Sequence, residues 1–153
     1  MDLTGRYSIG RVTLSGAYNY NRTRVVAGSL NANLTQKEIF EEGIPKQNLS
    51  GSATYDFGRV KLYGHVRYYG AWTDSTGNTT GNITQRFGSV AFVDARADVE
   101  LTSNLSLAVG ADNLFDKYPD EATFQANRGL IYSRNSPYGT DGGRYYLRLN
   151  AAF

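Results

Sequence analysis

The sequence predicts an all-β chain, an antiparallel up-and-down transmembrane β-barrel segment of about seven strands. Three observations carry that expectation. Apolar and polar residues alternate over seven stretches, so each strand meets a different solvent on each face. The connections between stretches run short, long, short, long, short, long, as in barrels with tight turns at one membrane surface and loops at the other. The last stretch, 143–153, sets Tyr145, Leu147, Leu149, Ala151 and Phe153 against Arg144, Tyr146, Arg148 and Asn150, and stops on an aromatic. A soluble sheet seldom leaves Phe as the free end of an edge strand.

The totals narrow the class further. The 153 residues suffice for one domain with a real core. Lys and Arg number 16 against 14 Asp and Glu, a net charge of +2, which argues against a nucleic-acid partner. Cysteine is absent, which excludes disulfides and thiolate metal sites. The longest apolar runs are a few residues, far short of the ~20 that a spanning helix needs. The opening ten residues, MDLTGRYSIG, lack the basic-then-apolar layout of a signal peptide. A mean hydropathy of -0.44 suits strands that are half polar. Tyr 12, Phe 7 and Gly 17 with Pro 3 suit an aromatic-rich β chain.

In order, Asp2 to Ser8 alternates Leu3, Gly5 and Tyr7 with Thr4, Arg6 and Ser8, and Ile9-Gly10 reads as a tight turn. Arg11 to Ala27 reads as a long strand, with Val12, Leu14, Gly16, Tyr18 and Tyr20 on one face. Gly28 to Lys46 breaks the pattern. Thr35 and Glu38 ahead of Ile39-Phe40 resemble a capping box, with Gly43 and Pro45 as stop signals. Both a short helix and an irregular loop with a chance match fit that segment. Gln47 to Phe57 and Arg59 to Thr73 alternate again. Val60, Leu62, Val66, Tyr68 and Trp72 point outward, and Arg59, Lys61, Tyr63, His65 and Arg67 inward. Asp74 to Arg86 reads as a polar, Gly-rich loop. Val90 to Leu101 and Leu105 to about Phe115 complete a hairpin around Thr102 to Asn104, and Lys117 to Gly142 is the longest loop. The expected strands exceed the ~9–11 residues that cross lipid, so the wall should project beyond the bilayer. Tyr18, Tyr20, Tyr68 and Trp72, near the loop-side ends, read as an interface girdle. Alternation from Leu105 puts Asn113 on the wrong face, which calls for a bulge or a strand end near Asp112.

The stretch from Leu107 to Pro119 resembles the C-terminal end of TonB-dependent outer-membrane receptors. Its motif is Asn113, Leu114, Phe115, Asp116 and Lys117, one strand before the end. Val93 to Ser106, Ser136-Pro137-Tyr138-Gly139 and Gly143 to Tyr146 resemble the neighbouring elements, and the terminal Phe153 matches an assembly signal carried with Tyr145, Leu147 and Leu149. The resemblance implies a 22-stranded barrel around a separate plug. Residues 1–153 would then be the C-terminal part of that barrel, without the plug and the remaining strands. Counting back from Phe153 puts every short connection in the periplasm and Met1 on the outside, whereas a complete barrel has an even strand count. An isolated chain is therefore expected not to close as a monomeric barrel. Implied partners are outer-membrane lipid, the rest of the barrel and its plug, the barrel-assembly machinery, and TonB through the absent plug. The implied solute is a ferric siderophore or other metal chelate, cobalamin or a glycan, imported with inner-membrane energy. The implied site is the bacterial outer membrane, with no catalysis and no cofactor.

The inward residues Asp94, Arg96, Asp98 and Glu100 read as lumen lining, paired with Arg144 or Arg148 or with the plug. His65 is the only histidine, so no metal constellation forms around it. Asn78-Thr79-Thr80 and Asn82-Ile83-Thr84 match a glycosylation pattern but read as polar loop. No nucleophile-base motif stands out. Tyr118, Phe124, Arg128, Tyr132, Arg134 and Tyr138 in the longest loop are residue types that hold anionic or aromatic solutes, and equally types that pack a barrel mouth. Two rival classes stay open. A small passive barrel would need an eighth strand. A soluble β-sandwich or lipocalin-like binder would need the Tyr- and Leu-rich faces buried.

Overall fold

The structure is a computed structural model that describes residues 1–27, 34–78, 81–123 and 129–152. Its elements are β1 (Asp2–Ile9), β2 (Val12–Tyr20), α1 (Leu34–Glu42), β3 (Gln47–Asp56), β4 (Val60–Tyr69), β5 (Trp72–Asn78), β6 (Gly81–Phe87), β7 (Val90–Thr102), β8 (Leu105–Asp112) and β9 (Arg144–Ala151). Seven strands form one antiparallel sheet in the order β1-β2-β3-β4-β7-β8-β9, and β5 and β6 form a separate two-stranded ribbon. Among the described residues β1 and β9 are paired on one side only, so the sheet is an open wall. Among the described residues no helix is long and apolar enough to cross a membrane, which says nothing of strands.

Register turns the alternation into two faces, because directly opposed residues in an antiparallel pair point the same way. One row runs Leu3, Tyr18, Leu49, Tyr68 and Ala91. Another runs Ile9, Val12, Tyr55, Leu62, Ala97, Val109 and Leu147. These rows belong to one apolar face, and it is uncovered. Leu147 is 68% exposed and Leu149 59%. The opposite face carries rows such as Arg6, Ser15, Ser52, His65 and Asp94.

Tight turns close one end of the wall. Gly10 at φ 56 supplies the left-handed backbone that a two-residue link between Ile9 and Val12 demands. Gly58 at φ 91 does the same after β3. A register shift between Glu100 and Thr102 puts a bulge at Leu101 just before the third turn.

Most strands of the wall are shorter than the alternation suggested. The seven run from 8 to 13 residues, close to the length that lipid requires. β2 stops at Tyr20 rather than Ala27, and β4 at Tyr69 rather than Thr73. Gly70 lies against the start of β3, its N–H donating to the Gln47 carbonyl at 2.8 Å. A Cβ there would sit 3.1 Å from that oxygen. The supposed loop 74–86 is the ribbon β5–β6, paired from Trp72 with Phe87 to Asn78 with Gly81. Trp72 leaves the lipid girdle altogether, since it is 2% exposed and lies under the loops. The helix α1 forms and ends at the stop signals, with Gly43 N–H bonded to the Ile39 carbonyl at 2.7 Å and Pro45 buried. It begins at Leu34, so Thr35 lies inside its first turn and is not the cap.

The three long connections meet at the other end of the wall, and the second and third build the core there with the start of β7. Trp72 stacks on its cross-strand partner Phe87, 4.6 Å between centroids at 15°. Val90, Phe92, Ala122 and Tyr138 complete the cluster, with Tyr69 against it. The indole Nε1 donates to the Tyr138 hydroxyl at 3.0 Å. Asp74, itself buried, accepts bonds from Ser133 Oγ and from Asn135 Nδ2. Gln85 pairs with a loop backbone as a strand would. Its amide donates to the Glu121 carbonyl at 2.7 Å and accepts from Thr123 N–H at 2.9 Å. From the other side, Glu42 at the end of α1 accepts from Lys46, Arg86 and Thr73.

Candidate functional site

Two surfaces invite a functional reading: the polar face of the wall and the cap above it. Register puts Asp94, Arg96, Asp98 and Glu100 of β7 on the polar face, with Arg144 and Arg148 of β9. Of the partners expected for this row, Arg144, Arg148 or the plug, neither arginine takes Asp94. Asp94 takes Arg67 of the adjacent strand in a two-pronged bond, Nε at 3.0 Å and Nη2 at 2.9 Å. Arg96 bonds Asp98 two residues along its own strand at 2.9 Å. Lys61 lies 3.8 Å from Asp56. Asp112 stands opposite Arg144 in register. The partners of Asp94 and Arg96 lie on the adjacent strand and on β7 itself, whereas β9 stands two strands away.

Arginine and aromatic rings alternate across this face. Tyr63, Arg96, Gly110 and Tyr146 share one row over four strands. Arg96 lies over Tyr63 at 5.3 Å and Arg148 over Tyr146 at 5.9 Å. Gly110 makes room, because a Cβ there would strike the Tyr146 ring. Nearer the cap, Arg67 lies 5.5 Å over Phe92.

His65 Nδ1 is 3.2 Å from Asp94 Oδ2, and its Nε2 is 2.8 Å from Ser50 Oγ. A carboxylate only accepts, so the neutral ring carries its proton on Nδ1 and accepts from the Ser50 hydroxyl. Sequence motifs did not reveal this serine–histidine–aspartate order. Ser50 lies on a strand paired on both sides, so its neighbouring backbone N–H groups are spent in the ladders and leave no oxyanion donors. The Asp94 carboxylate is also shared with the Arg67 cation.

The motif 113–117 ends β8 and clasps the last loop. The strand stops at Asp112, which resolves the phase conflict at Asn113. Asn113 and Asp116 both adopt left-handed backbone, φ 52 and 51. The Asn113 amide donates to the Lys117 carbonyl at 2.8 Å and accepts from the Lys117 N–H at 2.9 Å. Leu114 N–H reaches the Val93 carbonyl at 2.7 Å. Asp116 accepts from Gly143 N–H at 2.7 Å, which joins the two ends of the loop at its base. A Cβ at Gly143 would lie 2.9 Å from the Asn113 carbonyl oxygen. Gly143→Ala is therefore expected to cost about 1–3 kcal/mol of local stability through overpacking. Faster hydrogen exchange at Lys117 and Gly143 than at β8 is the check, and equal rates in variant and parent would refute it.

The loop residues divide. Tyr138 is 7% exposed inside the cap, and burial raises its pKa. Tyr118 is exposed and stacks on Tyr132, 6.1 Å apart at 11°. The adjacent Asp116 carboxylate raises the Tyr118 pKa. Arg134 is exposed at the loop surface. Phe124 and Arg128 lie outside the described residues, as does Phe153. Phe115 is 72% exposed and Tyr145 70%, and the Tyr145 hydroxyl donates to the Leu114 carbonyl at 3.3 Å. Tyr145, Leu147 and Leu149 share the apolar face of β9. Alternation did not reveal Trp72 and Phe87 as a pair, although both flank the Gly-rich tip at matched distances along a ribbon.

Residues 1–114 match the family described as TonB dependent receptor-like, beta-barrel. No curated protein matches the sequence. Among solved structures, a variant of the ferric enterobactin receptor PfeA from Pseudomonas aeruginosa superposes with TM-score 0.66 at 18% identity. That match covers 99% of this chain and 22% of that one. The pyoverdine outer membrane receptor FpvA from Pseudomonas aeruginosa PAO1, bound to pyoverdine, gives TM-score 0.69 at 20% identity, over 95% of this chain and 20% of that one. This chain thus spans about a fifth of the length of the receptors it resembles. The family match over most of the sequence, joined to an open wall with one apolar and one polar face, makes this chain a member of the TonB-dependent receptor β-barrel family.

Proposed function

We propose that residues 1–153 are the C-terminal part of the barrel of a larger outer-membrane receptor that takes up a scarce ferric siderophore. The wall would be completed by further strands at β1 and β9, with a plug against its polar face. TonB would supply energy through that plug. The cap would stand outside the cell and offer Tyr118, Tyr132 and Arg134, with Phe124 and Arg128, to the solute. The observation that supports this reading most is the division of the wall: an uncovered apolar face behind, arginine–aromatic rows in front, and three long connections joined at one end. The relatives named for enterobactin and pyoverdine support a chelate over cobalamin or a glycan. The uncovered apolar face argues against the soluble binder.

The test is deletion of the encoding gene in its host under iron limitation. Uptake of ferric enterobactin and ferric pyoverdine is then followed with and without a proton-motive-force uncoupler. Loss of uncoupler-sensitive uptake of one chelate is the expected result. Unchanged uptake of both would overturn the siderophore reading, and lost uptake that ignores the uncoupler would favour a passive pore.

A further inference from the structure

The polar face and the cap share one residue. Asp94 has a side chain only 14% exposed, and it serves four donors or near neighbours. Arg67 supplies two of its bonds, His65 lies against Oδ2, and the Asn113 backbone N–H donates to Oδ1 at 2.9 Å. Asn113 is the left-handed residue that ends β8 and opens the clasp. Arg67 lies over Phe92, whose ring is 5.8 Å from Tyr138 and 6.3 Å from Tyr69. Asp94 therefore touches the base of the last loop through Asn113 and the aromatic core of the cap through Arg67. Through His65 it reaches Ser50, two strands away across the wall.

We infer that Asp94 is a positioning residue that ties the polar wall to the cap and holds the last loop in its receiving geometry. Its position is the reason. Asp98 lies on the same strand and the same face, but its bond is to Arg96 alone and reaches no cap residue. Removing the Asp94 carboxylate leaves the Asn113 N–H without its acceptor and takes two bonds and the countercharge from the Arg67 guanidinium. Bonds of that kind to a charged group are worth enough that the loop's open population should rise about tenfold or more.

The test uses the full receptor in the outer membrane of intact cells. Trypsin is added outside, and cleavage after Lys117 or Arg134 is timed for Asp94→Ala, Asp94→Asn and Asp98→Asn. Cleavage about tenfold faster in Asp94→Ala is expected, with Asp98→Asn like the parent. Where Asp94→Ala inserts poorly, Asp94→Asn carries the same comparison. It keeps an acceptor for the Asn113 N–H but loses the charge beside Arg67, so a smaller increase is expected. Equal rates in both Asp94 variants and the parent would overturn the inference, as would an equal increase in Asp98→Asn. A second readout rests on the receptor reading above: ferric enterobactin uptake should show a raised KM with an unchanged maximal rate per inserted receptor. An unchanged KM with a lowered maximal rate would mark a merely structural role and overturn it. Where no ferric enterobactin is taken up, ferric pyoverdine replaces it; cells that take up neither count against the receptor reading, and the cleavage comparison then decides for Asp94.

Discussion

Trp72→Ala should free the cap while leaving the wall intact. The indole is 2% exposed, stacked on Phe87, edge-on to Tyr138 at 89°, and hydrogen-bonded through Nε1. Removing a buried side chain of that size costs about 3–5 kcal/mol, through lost transfer energy and the cavity left behind. The loss is local, because Trp72 sits on the ribbon and packs against the last loop rather than into the sheet. Amides that tie the loops together, at Gly88 and Thr123, should then exchange far faster, while those of β3 and β4 keep their protection. Trp72→Phe retains the stacking and surrenders the bond to Tyr138, so it should cost only about 1 kcal/mol. Hydrogen exchange of the full receptor in detergent measures both variants. Cap amides that exchange in Trp72→Ala as they do in the parent would contradict this account of the core.

The second large effect is on the opposite surface. Val109 lies midway along β8, on the apolar face between Ala97 and Leu147, and is 48% exposed. In a bilayer that exposed side contacts hydrocarbon. Val109→Arg should cost roughly 2–4 kcal/mol at that depth and lower the amount of inserted receptor. Asn150→Arg changes the neighbouring strand on the polar face, in register with Ser106, and should leave insertion unchanged. Fractionated outer membranes report the amount, and unfolding in urea reports stability. Equal insertion of both variants would show that the two faces do not meet different solvents.

The wall strands were legible because alternation is a direct imprint of two solvents on one backbone. The strand end at Asp112 was legible for the same reason, as a clash of phase at Asn113. The break after Tyr69 was not. Trp72 keeps the phase of Tyr68, so periodicity runs on through Gly70 while the chain leaves the sheet. The ribbon was hidden by its Gly, Asn and Thr content, which reads as loop, and its two ends are apolar only because they face each other. The wall network was hidden for another reason. Arg67 and Asp94 lie 27 residues apart, and only the register of β4 against β7 brings them together. The loop candidates were chosen by residue type, which does not distinguish Tyr138 in the core from Tyr118 at the surface.

The ion pairs of the polar face close within the wall itself: Lys61 with Asp56, Arg67 with Asp94, Arg96 with Asp98. A body resting against that face is not asked for countercharges at those positions. It can shift or withdraw without stranding a buried ion, and water can fill the gap it leaves.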